Sequence, residues 1–265
     1  MLVFFTDLDG SLLDHDTYDW QPARPALDRL LTLGHAVILC TSKARAEVVE
    51  LRAAMGIQSP FIVENGGAVF VPAGYFGATP TGKTRDGWEI LEFGAHYPIL
   101  VDALSQAAEM SGVSVRGFAA MTVEEIAART GLPLAVARLS KQREYDEPFV
   151  VEAGEAAALC AAIEAMGFSW TRGGRFYHII RGCDKGKAVA ALADLYKTHR
   201  AVAKTVGLGD GLNDAGFLRE VDSAWLIPSK RTADLLRLVP GAKLTASPGP
   251  AGWAEAVLDE LELAG

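Results

Sequence analysis

Leu2-Val3-Phe4-Phe5 opens the chain as an unbroken apolar run, the pattern of a strand buried on both faces. Pro22 to Leu33 carries Ala26, Leu27, Leu30 and Leu31 at helical spacing and stops at Gly34. Ala36 to Cys40 repeats the strand pattern, and Ala44 to Met55 the helical one, closed by Gly56. Phe61-Ile62-Val63 reads as a strand running into Glu64-Asn65-Gly66-Gly67, a turn signal, before Ala68 to Val71. Apolar strands separated by helices of about ten residues predict a parallel sheet joined by crossovers.

From Pro72 the texture changes. Ala73 to Gly87 is rich in Gly, Pro and Thr and reads as a connector. Tyr97 to Met110 is helical, with Pro98 suited to its first turn, and Thr122 with Glu125 forms a capping box. Phe149-Val150-Val151 is a strand, Glu155 to Met166 an Ala-rich helix ended by Gly167, and Phe176 to Ile180 another strand. This mixture predicts an α+β domain inserted over 84–182. The alternation then resumes with a helix over Lys185 to Tyr196, a strand over Ala201 to Val206 and short strand and helix units to the end. The expected fold is therefore α/β, a Rossmann-like three-layer parallel-sheet core in two parts, 1–83 and 183–265.

The first strand delivers Asp7 and Asp9 to its C-terminal end, where open α/β sheets place their chemistry. Strand alternation points both the same way. Two like charges that close imply a cation, or one protonated group. An EF-hand loop also begins Asp-x-Asp, but it needs Gly and Glu where Leu12 and Tyr18 stand. A solvated Asp-Gly turn is the plainer reading. A second acidic loop far downstream, Gly207-Leu208-Gly209-Asp210-Gly211-Leu212-Asn213-Asp214, argues against it, because it too follows a strand and precedes a helix. A dinucleotide loop there lacks the G-x-G-x-x-G spacing, and Asp210 would face a pyrophosphate unshielded.

Composition narrows the partners. Of 265 residues, 50% are hydrophobic and 22% charged, which is globular and not disordered. A formal net charge of −8 with no basic run argues against nucleic acid, while leaving room for a small anionic substrate met by local cations. Cys40, Cys160 and Cys183 are widely spaced, as expected of small apolar residues in a reduced compartment. No run reaches membrane-span length, and Leu2 to Phe5 is too short for a signal-peptide core. A soluble cytoplasmic protein is expected.

Four pieces in this order, Asp7/Asp9, Thr41-Ser42-Lys43, Lys185 and Asp210 with Asn213 and Asp214, resemble the haloacid dehalogenase superfamily of phosphohydrolases. The resemblance covers the whole chain. It implies Asp7 as nucleophile forming an aspartyl-phosphate, and Asp9 as the acid and base that serves the leaving group and then water. It implies Mg²⁺ held by the Asp7 carboxylate, the Asp9 carbonyl and Asp210, with waters held by Asn213 or Asp214. Thr41 and Ser42 would meet a phosphoryl oxygen, as would Asn213. Thr41 reads equally as an N-cap of the helix that follows. A lysine is ordinarily solvated, and only the resemblance selects Lys185 over Lys187.

An insertion between the Thr41 and Lys185 pieces is, in that superfamily, the C2 position of a cap that closes over the site and sets specificity. Glu64-Asn65-Gly66-Gly67, Arg143-Glu144-Tyr145-Asp146-Glu147, Gly173-Gly174-Arg175-Phe176-Tyr177-His178 and Asp184-Lys185-Gly186 resemble the mannosyl-3-phosphoglycerate phosphatase branch. That branch implies a phosphorylated glycoside as substrate, with Lys43, Asn65, Arg143, Arg175 and His178 as candidate contacts. Arg175 suits the carboxylate, since guanidinium grips it in a fork. In a continuous strand His178 would lie on the opposite face from Arg175, and a structural role for His178 stays open, as does a salt-bridged one for Arg143. Glucosyl-3-phosphoglycerate, another sugar phosphate, a phosphomutase reaction and a sugar-phosphate sensor are the alternatives. The intact acidic set argues against a sensor, which has no need of a general acid.

Overall fold

The computed structural model describes residues 1–77, 82–173 and 175–264. Part of the connector, 78–81, and Gly174 of the Gly-Gly-Arg run lie outside them. In chain order the first segment holds β1 (Leu2–Thr6), α1 (Arg24–Thr32), β2 (Ala36–Leu39), α2 (Arg45–Ala54), β3 (Phe61–Val63) and β4 (Ala68–Pro72). The middle holds β5 (Lys83–Arg85), β6 (Trp88–Glu92), α3 (Tyr97–Ser111), β7 (Ser114–Gly117), α4 (Val123–Thr130), α5 (Leu134–Ser140), β8 (Glu147–Ala153), α6 (Ala156–Ala165), β9 (Ser169–Arg172) and β10 (Tyr177–Ile180). The last holds α7 (Lys185–His199), β11 (Lys204–Gly209), α8 (Ala215–Leu218), β12 (Ser223–Leu226), α9 (Thr232–Leu238), β13 (Lys243–Leu244) and α10 (Gly249–Ala264).

The apolar runs pair into one parallel sheet, ordered β13-β12-β11-β1-β2. β1 is buried on both faces because helices cover both. Phe4 joins Leu27, Leu30, Trp253 and Val257 on one side, whereas Val3 and Phe5 join Val189, Leu192, Tyr196 and Phe217 on the other. The expected three layers are present. The central strands β1 and β11 run in register, Thr6 beside Leu208, so both acidic loops leave the same sheet end side by side.

β11 spans 204–209, not 201–206, so three residues expected in the loop are strand. Their glycines explain the shift. A Cβ on Gly207 would lie 2.9 Å from Val221, and one on Gly209 2.7 Å from the Asp214 carboxylate. Neighbouring segments press on the bare backbone, the packing use of glycine within a strand.

The parallel pattern stops earlier than expected. β3 meets the parallel sheet at the Cys40–Ile62 bridge just past the end of β2, then turns with β4, β6 and β5 into a separate antiparallel sheet ordered β3-β4-β6-β5. The expected start of the insertion at 84 falls inside β5, which pairs with β6 and, through it, with β4. Backbone hydrogen bonding thus groups 83–92 with the strands before the connector. The second antiparallel sheet, β7-β8-β10-β9, is covered by α3 and α6 through Leu100, Leu104, Leu159 and Ile163. The Thr122–Glu125 capping box is formed as expected, opening α4. The two strands of chain joining this unit to the rest run together, the Ala95 amide donating to the Arg181 carbonyl. Among the described residues no helix is long and apolar enough to cross a membrane, and the three cysteines are buried and unpaired.

Candidate active site

Asp7 follows β1 directly, its amide donating to the Leu208 carbonyl at 2.9 Å. β1 ends at Thr6, so alternation does not carry on to Asp9, and the two carboxylates take different cations. Lys185 Nζ lies 2.6 Å from Asp7 Oδ1 and 2.7 Å from Asp214 Oδ1, whereas Lys43 Nζ lies 2.9 Å from Asp9 Oδ1. Lys185 is 2% exposed. It opens α7, whose N-cap Asp184 accepts the Lys187 amide at 2.8 Å. Between the two lysines weighed in the sequence, the structure therefore puts Lys185 inward and Lys187 outward.

Asp7, Asp210 and Asp214 present oxygens within 4.8 Å of one another. Burial and the Asp214 charge push Asp7 up to about 7 against the pull of Lys185. Burial, with Asp7 and Asp214, pushes Asp210 up to about 8. Burial alone would lower the Lys185 ammonium, but Asp214 and Asp7 outweigh it and hold the proton. Asp214 has both oxygens committed, Oδ1 to Lys185 and Oδ2 to the amides of Asp210 and Gly211 at 3.1 and 2.9 Å. Asp210 receives only the Ser11 hydroxyl at 3.5 Å among the described residues. Gly10, at φ +86°, makes this closeness possible, since a Cβ there would stand 2.5 Å from Asp210 Oδ2. Crowded, desolvated oxygen donors short of positive charge suit a hard divalent cation.

Thr41 is not the cap of α2, which starts at Arg45 behind Ala44; its hydroxyl accepts the Lys43 amide at 3.2 Å. Thr41 is 1% exposed, and the Ser42 carbonyl receives Arg143 Nη2 at 2.9 Å. Asn213 donates to Asn65 Oδ1 at 3.4 Å.

Over this floor the inserted unit forms a roof, and between them lies a cavity of about 120 Å³, partly open to solvent, lined by Asp9, Tyr18, Lys43, Arg143, Arg175 and His178 among others. Arg175 precedes β10, so the strand-face objection does not arise, and it lines the cavity together with His178. His178 Nδ1 meets Asp146 at 2.9 Å, which leaves Nε2 as the remaining ring nitrogen. Arg143 is buried, bonded to Asp146 at 3.0 Å and 3.6 Å from Glu64. Burial would raise Asp146, but His178 and Arg143 hold it below the usual carboxylate range. Burial pushes Glu64 up to about 7 despite Arg143 and two backbone amides.

The 14–20 turn has a plain geometry. Asp14 Oδ1 accepts the amides of Asp16 and Thr17 and the Thr17 hydroxyl. This places Tyr18, at φ +59°, with its ring over Lys43 Nζ and its hydroxyl donating to the Thr130 carbonyl of the roof at 3.3 Å. Arg175 donates to the same carbonyl and to Tyr18 Oη. Asp146 and Tyr18 were not singled out as site residues. A place within the charged run Arg143–Glu147 is the one signal the sequence carries for the former.

A sheet end that gathers three carboxylates around a buried lysine, under an inserted α+β roof, defines an α/β protein with an acidic phosphoryl-type site. Residues 4–75 match the haloacid dehalogenase-like hydrolase family. The chain belongs to that family, being 38% identical over 261 residues, 97% of its length and 96% of the relative's, to a glucosyl-3-phosphoglycerate/mannosyl-3-phosphoglycerate phosphatase of Methanococcoides burtonii. It is 36% identical to the mannosyl-3-phosphoglycerate phosphatase of Pyrococcus furiosus, over 86% of this chain and 92% of that one. Its fold is similar to that of a subclass IIB sugar phosphatase of the same superfamily, with a TM-score of 0.69 at 17% identity and coverage of 98% of this chain and 99% of that one.

Proposed function

We propose that the protein hydrolyses the phosphate ester of a glycosyl-3-phosphoglycerate, mannosyl or glucosyl, through an aspartyl-phosphate. The observation that carries this is the pairing of an acidic, lysine-bearing floor with a roof whose Arg175 and His178 face the same cavity. Relatives named for these substrates match the chain nearly end to end.

Asp7 is the nucleophile. Its free oxygen attacks phosphorus, the bond to the glycerate oxygen breaks, and Asp9 gives that oxygen a proton. Asp9 then takes a proton from water as the water attacks phosphorus, and the Asp7–phosphorus bond breaks. Lys185 offsets charge on the transferring group, and Thr41, Ser42 and Asn213 are its polar surround. Asp7, Asp210 and the Asp9 carbonyl are the groups for Mg²⁺, with Asp214 and Asn213 behind it. When bound, Mg²⁺ supplies the positive charge that lets a phosphate dianion approach these carboxylates. At an effective dielectric near 20, one like-charge pair about 4 Å apart costs on the order of 4 kcal/mol, so the requirement is strong.

Arg175 and the His178 Nε2 edge are assigned to the glycerate carboxylate. Lys43 is committed to Asp9, and Arg143 to Asp146 and the Ser42 carbonyl, so both act by holding other groups. We take residues 95–181 as the cap, the insertion starting after β6. The cavity is about 120 Å³ and partly open to solvent, small against the roughly 300–1,000 Å³ typical of ligand pockets, and we take the cap to move as the glycoside enters. Phosphate release from mannosyl- and glucosyl-3-phosphoglycerate, compared with a panel of simple sugar phosphates, tests the assignment. Faster turnover of the simple phosphates overturns it. Transfer of phosphate back to a sugar, in place of release to water, marks the phosphomutase alternative.

A further inference from the structure

Asn65 was expected to touch substrate, yet both ends of its amide are already engaged. Nδ2 donates to Asp146 Oδ2 at 2.6 Å, and Oδ1 accepts from Asn213 Nδ2 at 3.4 Å. Asp146 belongs to the cap and holds His178 at 2.9 Å, and Asn213 belongs to the loop that carries Asp210 and Asp214. Asn65 is buried, at φ +57° and ψ +33°. The turn around it is wedged between the two chain crossings that join cap and core. A Cβ on Gly66 would strike the Asp184 carbonyl, one on Gly67 would strike Tyr145, and one on Gly94 would stand 3.1 Å from Gly67 Cα. The Glu64 carboxylate accepts the amides of Glu144 and Tyr145 from the cap side at 3.0 and 2.7 Å. One amide at the pivot therefore spans the recognition wall and the acidic loop.

We propose that Asn65 is a positioning residue that sets the acidic loop in register with the cap when the cap is shut. A glycoside held against His178 then finds Asn213, and the carboxylates beside it, in working position. This rests on the function proposed above, so its test includes a readout that needs no substrate.

Asn65→Gly removes the amide while keeping a residue at ease in the left-handed region. Thermal unfolding should shift downward but remain one cooperative transition, because a buried charge-assisted bond is lost. Turnover of mannosyl-3-phosphoglycerate should fall about 10-fold in kcat with little change in KM, the size of an ordinary coupling between sites. Hydrolysis of p-nitrophenyl phosphate, which does not engage the cap, should change far less. Asn213→Ala should cost much less in the Asn65→Gly background than in wild type, because the two act as a unit. In hydrogen–deuterium exchange without substrate, peptides covering 143–149 and 207–214 should both lose protection, although they are distant in sequence. Equal losses on both substrates, additive effects with Asn213→Ala, or deprotection of only one of the two peptides would overturn the proposal. If wild type fails on the glycoside while both peptides still respond together, the substrate assignment falls and the coupling stands.

Discussion

The floor and the roof of the cavity hold their charges in opposite ways. On the floor, Asp7, Asp9, Asp210 and Asp214 outnumber Lys43 and Lys185, and burial with mutual repulsion pushes Asp7 and Asp210 up to about 7 and 8. In the roof, Asp146 is ringed by Arg143, His178 and Asn65 and stays low. The floor's crowded carboxylates suit an added cation. The roof is complete without one. A site that receives a phosphate dianion over crowded carboxylates needs added positive charge, which a metal would supply, whereas a recognition wall must hold its shape before the substrate arrives.

Removing the metal should produce the largest effect. Activity should vanish in EDTA and return with Mg²⁺, while Ca²⁺ should inhibit, because its looser and larger coordination misplaces the reacting oxygens. Full turnover in EDTA would break the contrast outright. Asp7→Asn should follow, with a loss of at least about 10³-fold and an intact fold. Rapid quench with labelled substrate should trap phosphate on Asp7 in the wild type, and label on any other residue contradicts the mechanism. Lys185→Ala should lower kcat by about 10²-fold for every substrate, p-nitrophenyl phosphate included. Arg175→Ala belongs to the roof and should discriminate. A loss of about 2–3 kcal/mol in kcat/KM for mannosyl-3-phosphoglycerate, with p-nitrophenyl phosphate nearly unaffected, is expected. An equal loss on both would return Arg175 to its bonds with Tyr18 and Thr130 and remove it from the carboxylate.

The same division governs what the sequence makes legible. Floor residues sit at strand ends and a helix start, so apolar runs point to Asp7, Thr41 and Asp210, while Lys185 is singled out only by the family resemblance. Even there the glycines of 207–209 read as loop, because only the packing of Val221 and Asp214 against them reveals strand. Roof residues depend on contacts between distant segments. Nothing local says that Arg143 turns inward to Asp146, that Asn65 joins the cap to Asn213, or that β5 and β6 pair back to β4. The turn at 14–20 shows the limit well: nothing local accounts for its polar and aromatic residues, because the meeting of Tyr18 with Thr130, 112 residues away, joins distant segments.

A third charge cluster gives the comparison a control, because it lies in the core yet is fully satisfied. Glu260 of α10 is 1% exposed and accepts the Ser223 hydroxyl at 2.7 Å, Trp225 Nε1 at 2.9 Å, Lys243 at 3.0 Å and Lys204 at 2.7 Å. Burial would raise its carboxyl, but Lys204, Ser223, Trp225 and Lys243 together hold it down at about 2. It ties α10 to β11, β12 and β13, and touches none of the site residues. Glu260→Gln should leave kcat unchanged and cost about 1–3 kcal/mol of stability at neutral pH, the range for losing a charge-assisted bond. The sign with pH follows from the depressed value. Such a group stabilises the fold above its ordinary value near 4.5, and the contribution fades as pH falls from there toward 2. Urea unfolding of wild type and variant at neutral pH and at steps down through that window should show the gap narrowing with acid. A gap that widens on acidification, or a fall in kcat at neutral pH, would show that this cluster is not independent of the floor.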